Sequence, residues 1–185
     1  MDKMKMKLDD IIDFTLVKDR KVWDNAEIEA IASKNGMSFS SDYTFFLKYY
    51  GNNYIKDDYL YTPTYHFDSN EDAFDIGGIF GLYEDSNNLE NESMSFLGII
   101  PNDLFPIADL HGGDLICMGK EDCKIYFWYH DKVDENVFLV DDNFESFIMN
   151  FHFQDSQNGI DLDKVELNFD SDLDQALRNA AKKYK

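Results

Sequence analysis

Four short apolar runs follow one another between residues 104 and 140, and the gaps between them are too short to hold a crossover helix. The runs are Leu104 to Leu110, Leu115 to Met118, Lys124 to His130 and Val137 to Val140. Parallel neighbours need a connection of about a dozen residues or more, whereas antiparallel ones are joined by tight turns. The alternation of runs and turns therefore predicts an antiparallel sheet rather than βαβ units.

Helical patterns flank this region. Asp24-Asn25-Ala26-Glu27 reads as a capping box, followed by Ile28, Ile31 and Ala32 at helical spacing and by Gly36 as a left-handed stop. A second helix is predicted to start at Ser40 or Ser41, to carry Tyr43, Phe46, Leu47 and Tyr50 on one stripe, and to end at Gly51. From Tyr54 to Phe67 aromatic and β-branched residues are broken by Asp57-Asp58 and Thr62-Pro63, which predicts a hairpin or two edge-like strands. Asp75 to Tyr83 is a strand loaded with glycine, the mark of a bulge or a close backbone approach. Asn87 to Phe96 is polar and weakly helical. Asp142-Asn143 opens a helix with Phe144, Phe147, Ile148 and Phe151 on one face, and a last short helix is expected over Ser171 to Lys183. The expected fold is α+β: a single domain with a central, mostly antiparallel sheet flanked by N- and C-terminal helices. Its expected divisions are an N-terminal extension over 1–23, the α+β domain over 24–153 and a C-terminal extension over 154–185.

Charge narrows the functional classes. The 185 residues carry 17 Lys and Arg against 37 Asp and Glu, a formal net charge of −20, and 16% of them are aromatic. Such aromatic content argues for a packed domain despite the charge. A polyanion is repelled by phosphates, which disfavours nucleic acid and anionic membranes as partners. The charged start, Met1 to Lys7 followed by Asp9 and Asp10, lacks the apolar core of a signal peptide, and no apolar run is long enough to span a bilayer. The expected location is the cytoplasm. Cys117 and Cys123 stand too close for common zinc spacings; they flank a turn and either face each other across a hairpin or stand as ordinary half-buried thiols, the simpler reading.

Catalytic patterns are sought without success. There is no G-x-S-x-G elbow and no phosphate-cradling loop, and Asp68-Ser69-Asn70-Glu71-Asp72 lacks the glycine that a calcium loop needs. His66, His111, His130 and His152 fall on different elements. His111 with Asp114, or His130 with Asp131, has metal-ligand chemistry, but a locally hydrogen-bonded histidine is the simpler reading. The expectation is a protein that is not an enzyme and that carries no metal and no cofactor.

The acids are unevenly spread. Between Asp57 and Gly119 there are thirteen and no lysine or arginine. Such a block, interleaved with Tyr59, Tyr61, Tyr65, Phe67, Phe80 and Tyr83, is either a solvated face that keeps the chain soluble or an interface for a cationic protein. The repulsion it imposes on the compact state favours the second, because a basic partner relieves it. Asp57, Asp58, Tyr59, Tyr61, Asp68, Glu71, Asp72, Glu84 and Asp85 are the candidate partner-binding residues.

An ordered series of motifs runs through the chain. Phe39-Ser40-Ser41-Asp42-Tyr43-Thr44-Phe45-Phe46-Leu47-Lys48-Tyr49-Tyr50-Gly51 is followed by Ile76 to Leu82, Leu104-Phe105-Pro106-Ile107-Ala108-Asp109, Gly112 to Cys117, Ile125 to Asp131 and Phe144 to Ile148. Over residues 24–153 this order resembles the SUKH superfamily, which takes in Smi/Knr-type fungal cell-wall regulators and many bacterial toxin-immunity proteins. Phe39-Ser40 stands where the family pattern has Leu-Pro, and the stretch after Gln154 is not part of it. The resemblance implies action by binding. It points to an immunity protein that occludes a cognate toxin domain with a basic surface, a nuclease or deaminase, the chain itself being a monomer or weak homodimer. The alternative is a regulatory scaffold with several cellular partners.

Overall fold

The computed structural model describes residues 2–15, 21–51, 53–67, 69, 71–82, 88–110, 112–132 and 134–154, all within one compact unit. Its centre is the expected meander. β4 (Leu104–Leu110), β5 (Leu115–Gly119), β6 (Ile125–Trp128) and β7 (Val137–Asp141) pair antiparallel in sequence order. β1 (Asn53–Tyr54) and β3 (Ile76–Ile79) extend the sheet beyond β4, giving six strands in the order β1-β3-β4-β5-β6-β7. Pro106 has no N–H to give to a ladder, and the β4–β5 register shifts between Pro106 and Ala108, where the strand absorbs it. The β3–β4 register shifts between Ile76 and Gly78. A Cβ on Gly77 would stand 3.1 Å from the Asp109 carboxylate, so this glycine marks a close approach.

The helices form where local signals place them. Asp24 caps α2 (Asn25–Lys34) with its side chain on the Ala26 N–H at 2.8 Å, while Glu27 accepts from the Asp24 N–H at 2.9 Å. Ser40 caps α3 (Ser41–Tyr49), and Asn88 caps the short α4 (Leu89–Ser95). α5 (Phe144–Met149) is capped by Asn143 and receives a second acceptor from α3, the Asp42 carboxylate on the Glu145 N–H at 2.8 Å. Tyr43, Phe46, Phe144 and Phe147 pack in contact beneath these helices. Trp128 is buried in the core, as its place on the central sheet predicts.

Two features depart from the sequence expectations, the status of the first 23 residues and the place of Phe151. The segment 1–23 is not an appendage: α1 (Asp2–Ile11) buries Met4, Leu8 and Ile11 completely, with Ile12 beside them. Its end is tied in by hydrogen bonds from the Asp13 N–H to the Tyr54 carbonyl and from the Lys56 N–H to the Ile11 carbonyl, both 2.9 Å. Over residues 54–67 the second expected alternative holds, two edge strands rather than a hairpin. β1 joins the main sheet, whereas β2 (Tyr59–Tyr61) pairs antiparallel with β8 (Phe151–Phe153) in a separate ribbon. Phe151 is therefore on a strand, because α5 stops at Met149 and Asn150 caps it. The simpler of the two cysteine readings holds: Cys117, opposite Tyr126 across the β5–β6 hairpin, and the half-buried Cys123 are both free thiols. The expected helix over Ser171 to Lys183 lies outside the described residues.

Ribbon and sheet are joined at Asp141, a wholly buried carboxylate at the end of β7. It accepts hydrogen bonds from the Tyr61 hydroxyl (2.6 Å), the Thr64 hydroxyl (2.5 Å) and the Asn150 amide (2.9 Å). Burial pushes its carboxyl above the ordinary range, and the Thr64 and Tyr61 hydrogen bonds offset only part of that rise.

Two stability measurements check this architecture. Leu8→Ala should cost about 3 kcal/mol in urea unfolding, the cost of a core cavity; a cost below about 0.5 kcal/mol would return α1 to the status of an appendage. Asp141→Ala removes the acceptor of the buried Tyr61 hydroxyl and of two less buried donors, on Thr64 and Asn150, and should cost at least about 2 kcal/mol, whereas Asp141→Asn keeps an acceptor and should cost less. Because the folded state holds the Asp141 proton more tightly than the unfolded chain, the charge opposes folding in full above the folded pKa. That opposition fades as pH falls toward the unfolded value near about 3.9. The stability of the native chain relative to Asp141→Asn should thus rise between about pH 7 and about pH 4.

Candidate partner interface

The described acids of the 57–119 block are spread over several elements. Asp57 and Asp58 are exposed in the turn before β2, closed by the Tyr59 N–H on the Lys56 carbonyl at 2.9 Å. Glu71 and Asp72 are exposed ahead of Phe74, whose backbone exchanges hydrogen bonds of 2.8 and 2.9 Å with Tyr61 at the other end of β2. With β2 three residues long, the two acidic pairs stand at least about 10 Å apart along the strand, at roughly 3.3 Å per residue. Elsewhere Glu90 pairs with Lys34 at 2.9 Å, and Asp114 is engaged by His130. Asp68, Glu84 and Asp85 lie outside the described residues.

The two candidate tyrosines are spent on packing. Tyr61 is wholly buried, edge-on to Phe147 at 4.9 Å, with its hydroxyl on Asp141. Burial, then the charge of Asp141, raises its phenol. Tyr59 is buried too, with the Lys7 ammonium 5.4 Å from its ring centre. Strand alternation explains both. Residues 59 and 61 share the inner face of β2, and Leu60 takes the outer one. Tyr61 is therefore withdrawn as a surface anchor.

Other aromatics stand at the surface here. Phe153 is 58% exposed at the end of β8 and meets Tyr59 edge-on at 5.7 Å. Tyr65 is 39% exposed; its hydroxyl donates to Asp142 at 2.8 Å, and its N–H to the Val140 carbonyl at 3.1 Å. The sequence reading passed over Phe153 as the last residue of the domain, although Phe151-His152-Phe153 carries a period-two signal. Among the described residues Asp57, Asp58, Glu71 and Asp72 form no ion pair, whereas Glu27, Glu90 and Asp142 each face a lysine. The ribbon thus carries one exposed aromatic, Phe153, with Tyr65 exposed in the loop that follows β2 and unpaired carboxylates at either end.

Groups with catalytic chemistry are arranged otherwise. Burial raises both thiols, with Asp122 adding to the rise at Cys123, so neither is poised as a thiolate. His130 is held by Asp114 on Nδ1 (2.9 Å) and Asp131 on Nε2 (2.8 Å), which requires a proton on each nitrogen. His111 lies outside the described residues, and no cluster of three or more metal-ligating side chains occurs among them. A groove of about 340 Å³ beside Asp103, Lys120, Asp122 and Tyr126 pairs no nucleophile with a base. Burial, then a hydrogen bond to Asp122, pushes the Tyr126 phenol up to about 12. No described helix is long and apolar enough to cross a membrane.

Two helices before a central antiparallel meander, with a capped helix after it, match the architecture that the motif order implied. The family described as SMI1 / KNR4 (SUKH-1) matches residues 23–150. The chain belongs to that family. A relative from Bacillus subtilis (strain 168), the SPbeta prophage-derived uncharacterized protein YokK, is 30% identical over 138 residues, 67% of this chain and 72% of its own. The family match begins at Trp23 and ends at Asn150, so α1 and β8 lie outside it although both supply buried side chains. The ribbon is thus built half from the family region, in β2, and half from beyond it, in β8.

The Asp114 hydrogen bond is the main cause of the raised His130 pKa. Asp114→Asn should return His130 toward about 6.5 in an NMR titration of the ring protons. An unchanged titration would remove Asp114 from the account.

Proposed function

We propose that this chain is an immunity protein. It binds a cognate bacterial toxin domain, a nuclease or deaminase with a basic active site, and blocks it by occlusion, turning over no substrate itself. One observation carries the reading: Asp57, Asp58, Glu71 and Asp72 are exposed, form no ion pair among the described residues, and bracket a ribbon with Phe153 and Tyr65 at the surface. Desolvated aromatics supply contact area, and carboxylates facing lysine or arginine supply complementarity and a fast encounter. Family membership supports action by binding, and the prophage origin of the B. subtilis relative is consistent with a mobile defence gene. The partner is met in the cytoplasm.

Reversing Asp57, Asp58, Glu71 and Asp72 to lysine tests this, with the C-terminal domains of toxins encoded in the same genome as the binding panel. Affinity should fall by about 100-fold, mostly through slower association, and the salt dependence of association should flatten. Because these side chains are exposed, the melting temperature should hold. Unchanged affinity and salt dependence would overturn the reading.

A further inference from the structure

α1 and the C-terminal half of α3 border an open pocket of about 460 Å³, lined by Lys5, Asp9, Phe45, Tyr49 and Tyr50. Helical spacing sets its walls. Phe45 and Tyr49 stand one turn apart on α3, and Lys5 and Asp9 one turn apart on α1, so each pair shares a face. The rings do not stack. Phe45 lies 5.0 Å from Tyr49 at an interplanar angle of 53°, and 6.1 Å from Tyr50 at 50°. Together they make an inclined corner, and Tyr49, 44% exposed, opens it to water. A carboxylate is fixed at its edge. The Tyr50 hydroxyl donates to Asp9 Oδ1 at 2.8 Å, which holds the side chain and keeps its second oxygen for another donor. Asp9 is exposed and forms no ion pair among the described residues.

These fixed groups select one chemistry. The face of an aromatic ring carries negative potential and attracts a cation within about 6 Å of its centre. The carboxylate adds a full charge. An anion is repelled by both, and a neutral apolar guest desolvates Asp9 without pairing it. Tyr49 already draws one cation: the ammonium of Lys48, which is not among the lining residues, stands 5.7 Å from its ring centre. Lys5 is the one cation in the lining. It is exposed and stands on a flexible four-carbon stem, so a guest can displace it.

We propose that Phe45, Tyr49, Tyr50 and Asp9 form a binding site for an alkylammonium group, held against the rings and paired with the carboxylate. The inference goes beyond the acidic ribbon and stands on residues that the ribbon does not share. One wall comes from α1, which lies outside the family match, and the other from α3, which lies within it.

Choline serves as the probe for a free cation and Nα-acetyl-lysine methylamide as the probe for a protein side chain. The control is the alcohol in which carbon replaces the choline nitrogen, a neutral isostere. Binding to the full chain is followed by NMR on the ring protons of Phe45 and Tyr49. At least one cation should bind about tenfold or more tighter than the isostere, and the tighter of the two names the source of the ammonium. Tyr49→Leu keeps apolar bulk without the ring and should weaken that cation about fivefold or more. Asp9→Asn keeps an acceptor for Tyr50 without the charge and should weaken it by a similar factor. Lys5→Gln removes the competing ammonium and should bind at least as tightly as the native chain. The melting temperature should hold in all three variants, because these side chains are exposed. Equal binding of the neutral isostere, affinity indifferent to either Tyr49→Leu or Asp9→Asn, or weaker binding in Lys5→Gln would each overturn the site. The ribbon is read from toxin association and this pocket without any toxin, so either can fail without the other.

Discussion

A single buried carboxylate holds the two sheets of this protein together. Asp141 ends the edge strand of the six-stranded sheet, and its three donors come from β2, from the loop that follows β2, and from the residue between α5 and β8. In a dry site the carboxylate has neutral donors only, so it is costly to charge and costly to remove. Strand alternation turns Tyr61 inward, and there its hydroxyl meets Asp141. The outer edge of the ribbon, with Phe153 and the carboxylates at either end, is what remains for contact.

Charge is the second constraint. A chain with twenty more acids than bases has to dispose of carboxylates, and this fold uses several devices. Some cap helices, as Asp24 and Asp42 do; some face lysines, as Glu90 does; one clamps a histidine; one is buried among donors. The acids at the two ends of β2 belong to none of these classes. Leaving them uncompensated costs self-repulsion in the free protein, a cost that a cationic partner removes.

Much of the fold was legible because its signals are local. The capping box at Asp24, the serine cap at Ser40 and the strand–turn alternation from Leu104 to Val140 each act within a few residues, and each appears where the spacing predicts it. α1 was harder to read. Its buried stripe, Met4, Leu8, Ile11 and Ile12, is short and interleaved with lysines and aspartates, and the element packed against it is α5, at the other end of the domain. The candidate site was legible in its acids and illegible in its anchors. Tyr59 and Tyr61 have the composition of an interface, but strand alternation turned them inward, while Phe153 reached the surface through a pairing with a strand ninety residues earlier.

By itself the sequence determined the class of fold, the antiparallel connectivity of the meander, the helix ends and the anionic character of the surface, because short-range sterics, hydrogen bonding and composition control those. Only the tertiary structure decided which strand partners β2, which carboxylate goes into the core, and that the acidic block is divided between the two ends of a ribbon. Those outcomes depend on contacts between residues remote in the chain, and no local propensity distinguishes Asp141 from the other acids until Tyr61, Thr64 and Asn150 are brought around it.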